Sequence, residues 1–142
     1  MTSSHAELTM STAATLEGLD RVTGTFDEFA STHGIQDAAR RAIQIVLDEL
    51  LSNTARYGRV EGREPIVDVG FRIDGGTLRV EIVDDGVPFD PLEREEPDTT
   101  LPIDERPIGG LGVMLVTRLV DEIRYEREGS RNRISFGKRL DP

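Results

Sequence analysis

Residues 48–58 read DELLSNTARYG. Glu49 and Asn53 are four apart, and on a helix that spacing puts both on one face, about one turn from each other. The Asn carbonyl oxygen suits Mg2+, a hard cation that keeps several waters and takes few protein ligands. A carboxylate beside it can accept a proton from an attacking hydroxyl or from water. An exposed polar helix face accounts for the same two residues. A second candidate lies in EIVDDGVPFDP, where Asp84 precedes Gly86 by two. That carboxylate can accept a hydrogen bond from an exocyclic amine, and the glycine lets backbone approach a ligand closely. Asp-Asp-Gly is equally the composition of a plain turn. The third is IGGLGVMLV, with Gly109, Gly110 and Gly112 at the entry to a helix. Amides of a first helical turn lack intrahelical partners, and with the helix dipole they favour an anion such as phosphate. Close packing between helices is the other use of such small residues. No Gly-Lys-Ser/Thr follows, so this is not a P-loop, and no strand immediately precedes it, so it is not a dinucleotide fingerprint.

These residues need elements to hold them. AELTMS (6–11) alternates weakly and predicts a short first strand. In TAATLEGLDRVTGTFDEFASTHG, Leu16, Leu19, Val22, Phe26 and Phe29 fall at helical spacing and the helix ends on Gly34. QDAARRAIQIVLDELLSNTARYG carries a broad apolar stripe of Ala39, Ala42, Ile43, Val46, Leu47, Leu50 and Leu51, with Gly58 as the stop. Then the period changes to two. Residues 65–74 and 77–85 alternate around Gly75-Gly76, a hairpin signature. The next stretch, GVPFDPLEREEPDTTLPIDERP, holds five of the seven prolines and a surplus of acid. It shows no period and reads as a long loop, which in a compact domain is a lid or a binding segment. GGLGVMLVTRLVD (109–121) predicts a helix, and EIRYERE and NRISFGKRL a closing hairpin around Gly-Ser. Helices and hairpins come in blocks, the pattern of an α+β fold with helices on one face of a mixed or antiparallel sheet.

Composition narrows the function. A chain of 142 residues is expected to be one domain, 1–142, with a real core of Val, Ile and Leu. It has no Cys, so no disulfide framework and no thiolate metal site. Neither His5 nor His33 stands in a metal-ligand spacing. The formal charge of −10 argues against direct nucleic-acid binding. No apolar run approaches the ~20 residues of a membrane span, and the N-terminus lacks the pattern of a signal peptide. The expectation is a cytoplasmic protein without membrane association.

Along the chain stand, in order, a Glu-x-x-x-Asn helix, an Asp-x-Gly strand end, a Pro-rich loop and a Gly-x-Gly helix entry. This order, with the stretches DDGVPFDP and GGLGVMLVTRLVDE, resembles the GHKL ATPase superfamily of gyrase, the heat-shock chaperone, histidine kinases and the mismatch-repair ATPase. The short layout is most similar to the bacterial anti-sigma-factor serine/threonine kinases, and the likeness runs from the first helix to the final hairpin. It implies a two-layer α+β sandwich, with about three helices on one face of a mixed, mostly antiparallel sheet, and Mg-ATP as the ligand. Carried over residue by residue, it implies Asn53 as the Mg2+-coordinating residue and Glu49 as the general base. Asp84 would read the adenine amine, with Gly86 beside it. Gly110 and Gly112 match the second glycine box next to the phosphates, with Gly109 and Leu111 in the same nucleotide-binding stretch. Residues 87–108 would form the ATP lid, whose basic residues are Arg94 and Arg106.

The implied function is that of a kinase that phosphorylates a STAS-domain anti-anti-sigma factor and regulates a sigma factor, as a homodimer. The expectation is that no phosphoacceptor histidine domain of the sensor type accompanies it. Three departures bear on activity. Pro88 stands where many members have a second glycine, which stiffens the near hinge. Tyr57 stands where some serine kinases have a histidine. Asp48 would raise the proton affinity of Glu49 if both faced inward. An ATP-binding regulatory switch with little or no phosphoryl transfer is therefore the alternative.

Overall fold

A computed structural model describes residues 6–93 and 110–140. In chain order the elements are β1 (Ala6–Ala13), α1 (Leu16–Thr32), α2 (Asp37–Tyr57), β2 (Ile66–Asp74) and β3 (Thr77–Asp84). A 3-10 turn (Pro91–Glu93), α3 (Gly110–Leu119), β4 (Glu122–Glu128) and β5 (Arg131–Arg139) follow. The five strands form one sheet in the order β1-β2-β3-β5-β4. Every neighbouring pair is antiparallel, so the α+β expectation is met with a sheet at the purely antiparallel end of its range.

Period-two alternation sets the two faces of the sheet. Val67, Val69 and Phe71 of β2, Leu78, Val80 and Ile82 of β3, and Ile134 and Phe136 of β5 point to one side. There they meet Leu19, Val22, Phe26 and Phe29 of α1, Ile43, Val46, Leu47, Leu50 and Leu51 of α2, and Val116 of α3. Phe71 lies between Phe26 and Phe29, with ring centroids at 5.4 and 5.8 Å. The opposite side carries charge: Arg79 pairs with Glu122, Arg131 with Asp68, and Arg133 with Glu128. The β2–β3 hairpin turns on Gly75 and Gly76 at φ 59° and 81°, values that suit glycine in a tight turn.

Two sequence expectations need amending. Leu16 belongs to the predicted stripe of α1 but is 83% exposed. The helix begins at Leu16, capped by Thr15, whose hydroxyl accepts from the Gly18 amide at 3.0 Å. Leu16 therefore sits at the free end, one turn ahead of Leu19, the first stripe residue to be buried. The first strand is also two residues longer than expected. It pairs along all of β2, from Ala6 opposite Ile73 to Ala13 opposite Ile66. As an edge strand in which only Thr12 is buried, it shows only a faint alternation.

Candidate functional site

The buried stripe of α2 fixes how the helix is rotated, and that rotation turns Asn53 inward. Asn53 is 1% exposed, and its Nδ2 donates to Glu49 Oε2 at 3.1 Å. The spacing of four does put the two side chains together. Asp48 is exposed while Glu49 is half-buried, so the adjacent acids diverge. The other end of the Asn53 amide is unusual: Oδ1 is buried and has no hydrogen-bond partner among the described residues. Such an orphaned acceptor costs about 1–3 kcal/mol, which a bound ligand would recover. No group of three or more His, Cys, Asp or Glu among the described residues is placed to hold a metal. A lone amide oxygen, completed by ligand oxygens and water, is a donor set that Mg2+ accepts.

Asp84 ends β3, only 5% exposed. Its Oδ1 accepts from the Gly86 amide at 2.9 Å and from Asn132 Nδ2 at 2.9 Å. Burial pushes the carboxyl above its ordinary range, with the Asp85 charge adding to the effect; the bonds from Asn132 and Gly86 and the charge of Arg127 act the other way. The neighbouring acid does different work. Asp85 accepts from the Ile66 amide at 2.8 Å and pairs with Arg63 at 3.2 Å, fastening the start of β2. Of the two acids in Asp-Asp-Gly, only Asp84 faces inward.

Gly86 joins this strand end to α2. A Cβ at Gly86 would lie 2.2 Å from the Gly58 carbonyl oxygen, and that oxygen accepts from the Val87 amide at 3.1 Å. Tyr57 stacks on Phe89 with centroids 5.1 Å apart. Asn53 stands five residues before Gly58, about 7.5 Å along the helix. The Glu49–Asn53 pair and the Asp84–Gly86 strand end therefore belong to one end of the molecule. Gly110, Leu111 and Gly112 form the first turn of α3, which packs on α2. Gly109, and the lid expectation beyond Glu93 with Arg94 and Arg106, lie outside the described residues. A recess of about 650 Å³ occurs on the helix-free face of the sheet, lined by Arg72, Arg79, Glu81, Glu122 and Arg124 among others. It contains none of the candidate residues, and Arg79 and Glu122 in its lining are ion-paired to each other.

The profile of the histidine kinase-like ATPase domain matches residues 12–138. The chain belongs to this family. No curated protein sequence matches it. Among solved structures, the RsbU and RsbW domains of Rv1364c from Mycobacterium tuberculosis match with a TM-score of 0.69 at 16% identity, covering 95% of this chain and 32% of that one. The Acinetobacter baumannii histidine kinase AdeS matches with TM-score 0.52 and 16% identity, over 95% of this chain and 68% of that one. The catalytic domain of histidine kinase ThkA gives 0.53 and 16%, over 95% and 99%. These likenesses are of fold, and this chain spans about a third of the Rv1364c chain. The two-layer sandwich is thus the GHKL ATPase fold. No helix among the described residues is long and apolar enough to cross a membrane.

The structure of this ATPase domain adds residues that motif spacing did not single out. Asn132 of β5 stands directly opposite Asp84 in the β3–β5 register, and Tyr125 and Arg127 of β4 lie next to it. Tyr125 Oη donates to Asn132 Oδ1 at 2.5 Å, and Arg127 Nη1 donates to the Gly86 carbonyl at 2.9 Å. One signal was present: Asn132 shares its alternation with Ile134 and Phe136, so an amide falls on the apolar face of the strand.

Proposed function

We propose that this ATPase domain, 1–142 as one unit with 87–108 as its lid, is a Mg-ATP-dependent serine/threonine kinase of the anti-sigma-factor type. Its substrate would be a STAS-domain anti-anti-sigma factor, and its regulatory target a sigma factor. The observation that carries the reading is the Asn53 amide, whose Nδ2 is held by Glu49 and whose buried Oδ1 is left without a partner among the described residues. Asn53 would hold Mg2+, which when bound neutralises phosphate charge. Asp84 Oδ1 is taken up by Gly86 and Asn132, so the carboxylate's other oxygen is the acceptor for an adenine amine. Gly110, Leu111 and Gly112 offer first-turn amides to the phosphates, and Gly109 continues the same stretch. As a serine or threonine hydroxyl oxygen bonds to the γ-phosphorus and the bond to the ADP oxygen breaks, Glu49 takes the hydroxyl proton. Positioning and charge neutralisation supply most of the catalysis in such transfers. Homodimerisation and a cytoplasmic location belong to the same proposal.

Incubating the purified protein with γ-labelled ATP and a STAS-domain antagonist tests the proposal. Label on the antagonist that disappears with Glu49→Ala supports the kinase. One feature favours the alternative of a nucleotide switch with little transfer: Tyr57 is stacked on Phe89 just after Pro88, which braces the near hinge. Tight ATP binding with no labelled antagonist would establish that alternative.

A further inference from the structure

We infer that Asn132, with its amide oriented by Tyr125, is a positioning residue that ties base recognition at Asp84 to the backbone leading out of β3. The inference rests on the reading of Asp84 as the base acceptor. Asn132 is 3% exposed and uses both ends of its amide twice. Nδ2 donates to Asp84 Oδ1 at 2.9 Å and to the Val87 carbonyl at 2.8 Å. Oδ1 accepts from Tyr125 Oη at 2.5 Å and from the Phe89 amide at 3.3 Å. An amide offers two donors and an acceptor with two lone pairs, so its capacity is filled. The orientation is unique: a carboxylate and a carbonyl demand the NH2 end, and a backbone amide demands the oxygen. Burial pushes the Tyr125 phenol up, which keeps it a donor at neutral pH.

Two consequences follow from the sharing. Asp84 Oδ1 is occupied from two sides, which fixes the carboxylate plane that a purine amine meets. Val87 and Phe89 are held by the same side chain, so releasing that segment takes two bonds from Asn132 and loosens the orientation of the amide that donates to Asp84. Members of a buried hydrogen-bond network support one another. If an occupied base end favours the engaged state of Asn132, then engagement of Val87–Phe89 favours base binding by the same factor.

The test compares the wild type with Asn132→Ala and Tyr125→Phe. Adenosine probes the base end and Mg-tripolyphosphate the other end by calorimetry, and hydrogen exchange is followed at the Phe89 amide and at Val80 and Ile82 in the core. In Asn132→Ala, adenosine binding is expected to weaken by about tenfold or more, the effect of one buried hydrogen bond to a charged group. Tripolyphosphate affinity stays within about twofold, since the changed group makes no contact with that end. Phe89 exchanges faster while Val80 and Ile82 do not change. Saturating adenosine slows Phe89 exchange in the wild type and fails to do so in Asn132→Ala. Tyr125→Phe, which removes one hydroxyl, shifts both readouts in the same directions and carries the test if Asn132→Ala does not fold. Wild-type adenosine affinity in both variants overturns the inference alone, and so does an equal loss of both ligands. A wild type that binds no adenosine overturns the base-acceptor reading, and this coupling with it.

Discussion

A buried aspartate is a costly way to end a strand, and Asp84 shows what the cost is for. Its folded-state proton affinity is raised, mainly by burial. The group therefore contributes to stability in acid, and that contribution is lost as the pH rises from the ordinary carboxylate range through the raised folded value. Asp84→Asn removes the titration and keeps an oxygen for Gly86 and Asn132. Melting curves should then show the variant at least as stable as the wild type at pH 7, with the difference shrinking as the pH falls through the raised folded value and closed once it is below the ordinary carboxylate value of about 4. Adenine nucleotide affinity should drop roughly tenfold to a hundredfold, because an amide NH2 would face the purine amine; unchanged affinity would remove Asp84 from the base site. The Glu49–Asn53 pair was legible because it depends on spacing within one element. Asp84 was singled out by the family resemblance and not by its own Asp-Asp-Gly context, which a plain turn explains equally. Asn132 was not legible, because it meets Asp84 only through the pairing of β3 with β5. Nothing local in Arg-Asn-Arg announces that neighbour.

At the scale of elements, α1 shows how far periodicity reaches. Leu19, Val22, Phe26 and Phe29 could be assigned to the core from their spacing, and they are buried there. The end of the stripe depends on where the helix starts, which Thr15 decides through its bond to Gly18. Gly18 matters for another reason: a Cβ there would lie 1.9 Å from the Ala13 carbonyl oxygen, so the glycine lets α1 sit hard against the end of β1. Gly24 lies in the same helix with nothing within 4 Å of its Cβ position. One substitution should thus have opposite signs at the two sites. Gly24→Ala is expected to stabilise by about 0.5–1 kcal/mol through helix propensity. Gly18→Ala is expected to destabilise by about 1–3 kcal/mol, the usual cost of forcing atoms into a packed contact. Urea unfolding of the two variants checks both, and like signs would show that α1 does not press on β1 as described. The fold class was readable from blocks of helix and hairpin. The strand order was not, since β5 joins β3 through a pairing distant in sequence, which places it between β3 and its hairpin partner β4.

For the whole molecule, the helix layer covers one face of the sheet, and Glu49, Asn53, Asp84 and Gly86 lie toward the end where Gly58, after α2, meets the exit of β3. The other face is closed by exposed ion pairs such as Arg131–Asp68 at 3.5 Å, and exposed pairs of this kind contribute about 0–1 kcal/mol each. Occupation of the site should therefore move global stability more than any change on the charged face. A ligand that binds only the native state adds about 2.7 kcal/mol at a hundred times its Kd. For a domain near this size that amounts to several degrees in Tm, at roughly 2–4 °C per kcal/mol. Mg-ADP should raise the melting temperature by that amount, and chelating the magnesium with EDTA should remove much of the gain. In Asn53→Ala the gain from ADP should be smaller and indifferent to the chelator, because the buried oxygen that would meet the cation is gone. Adenosine should protect wild type and Asn53→Ala alike, with or without EDTA, since the contacts proposed for it lie at Asp84. Chelator-sensitive protection by ADP in Asn53→Ala would move the metal away from Asn53, and protection by adenosine but not by ADP would leave the phosphate end of the site without support.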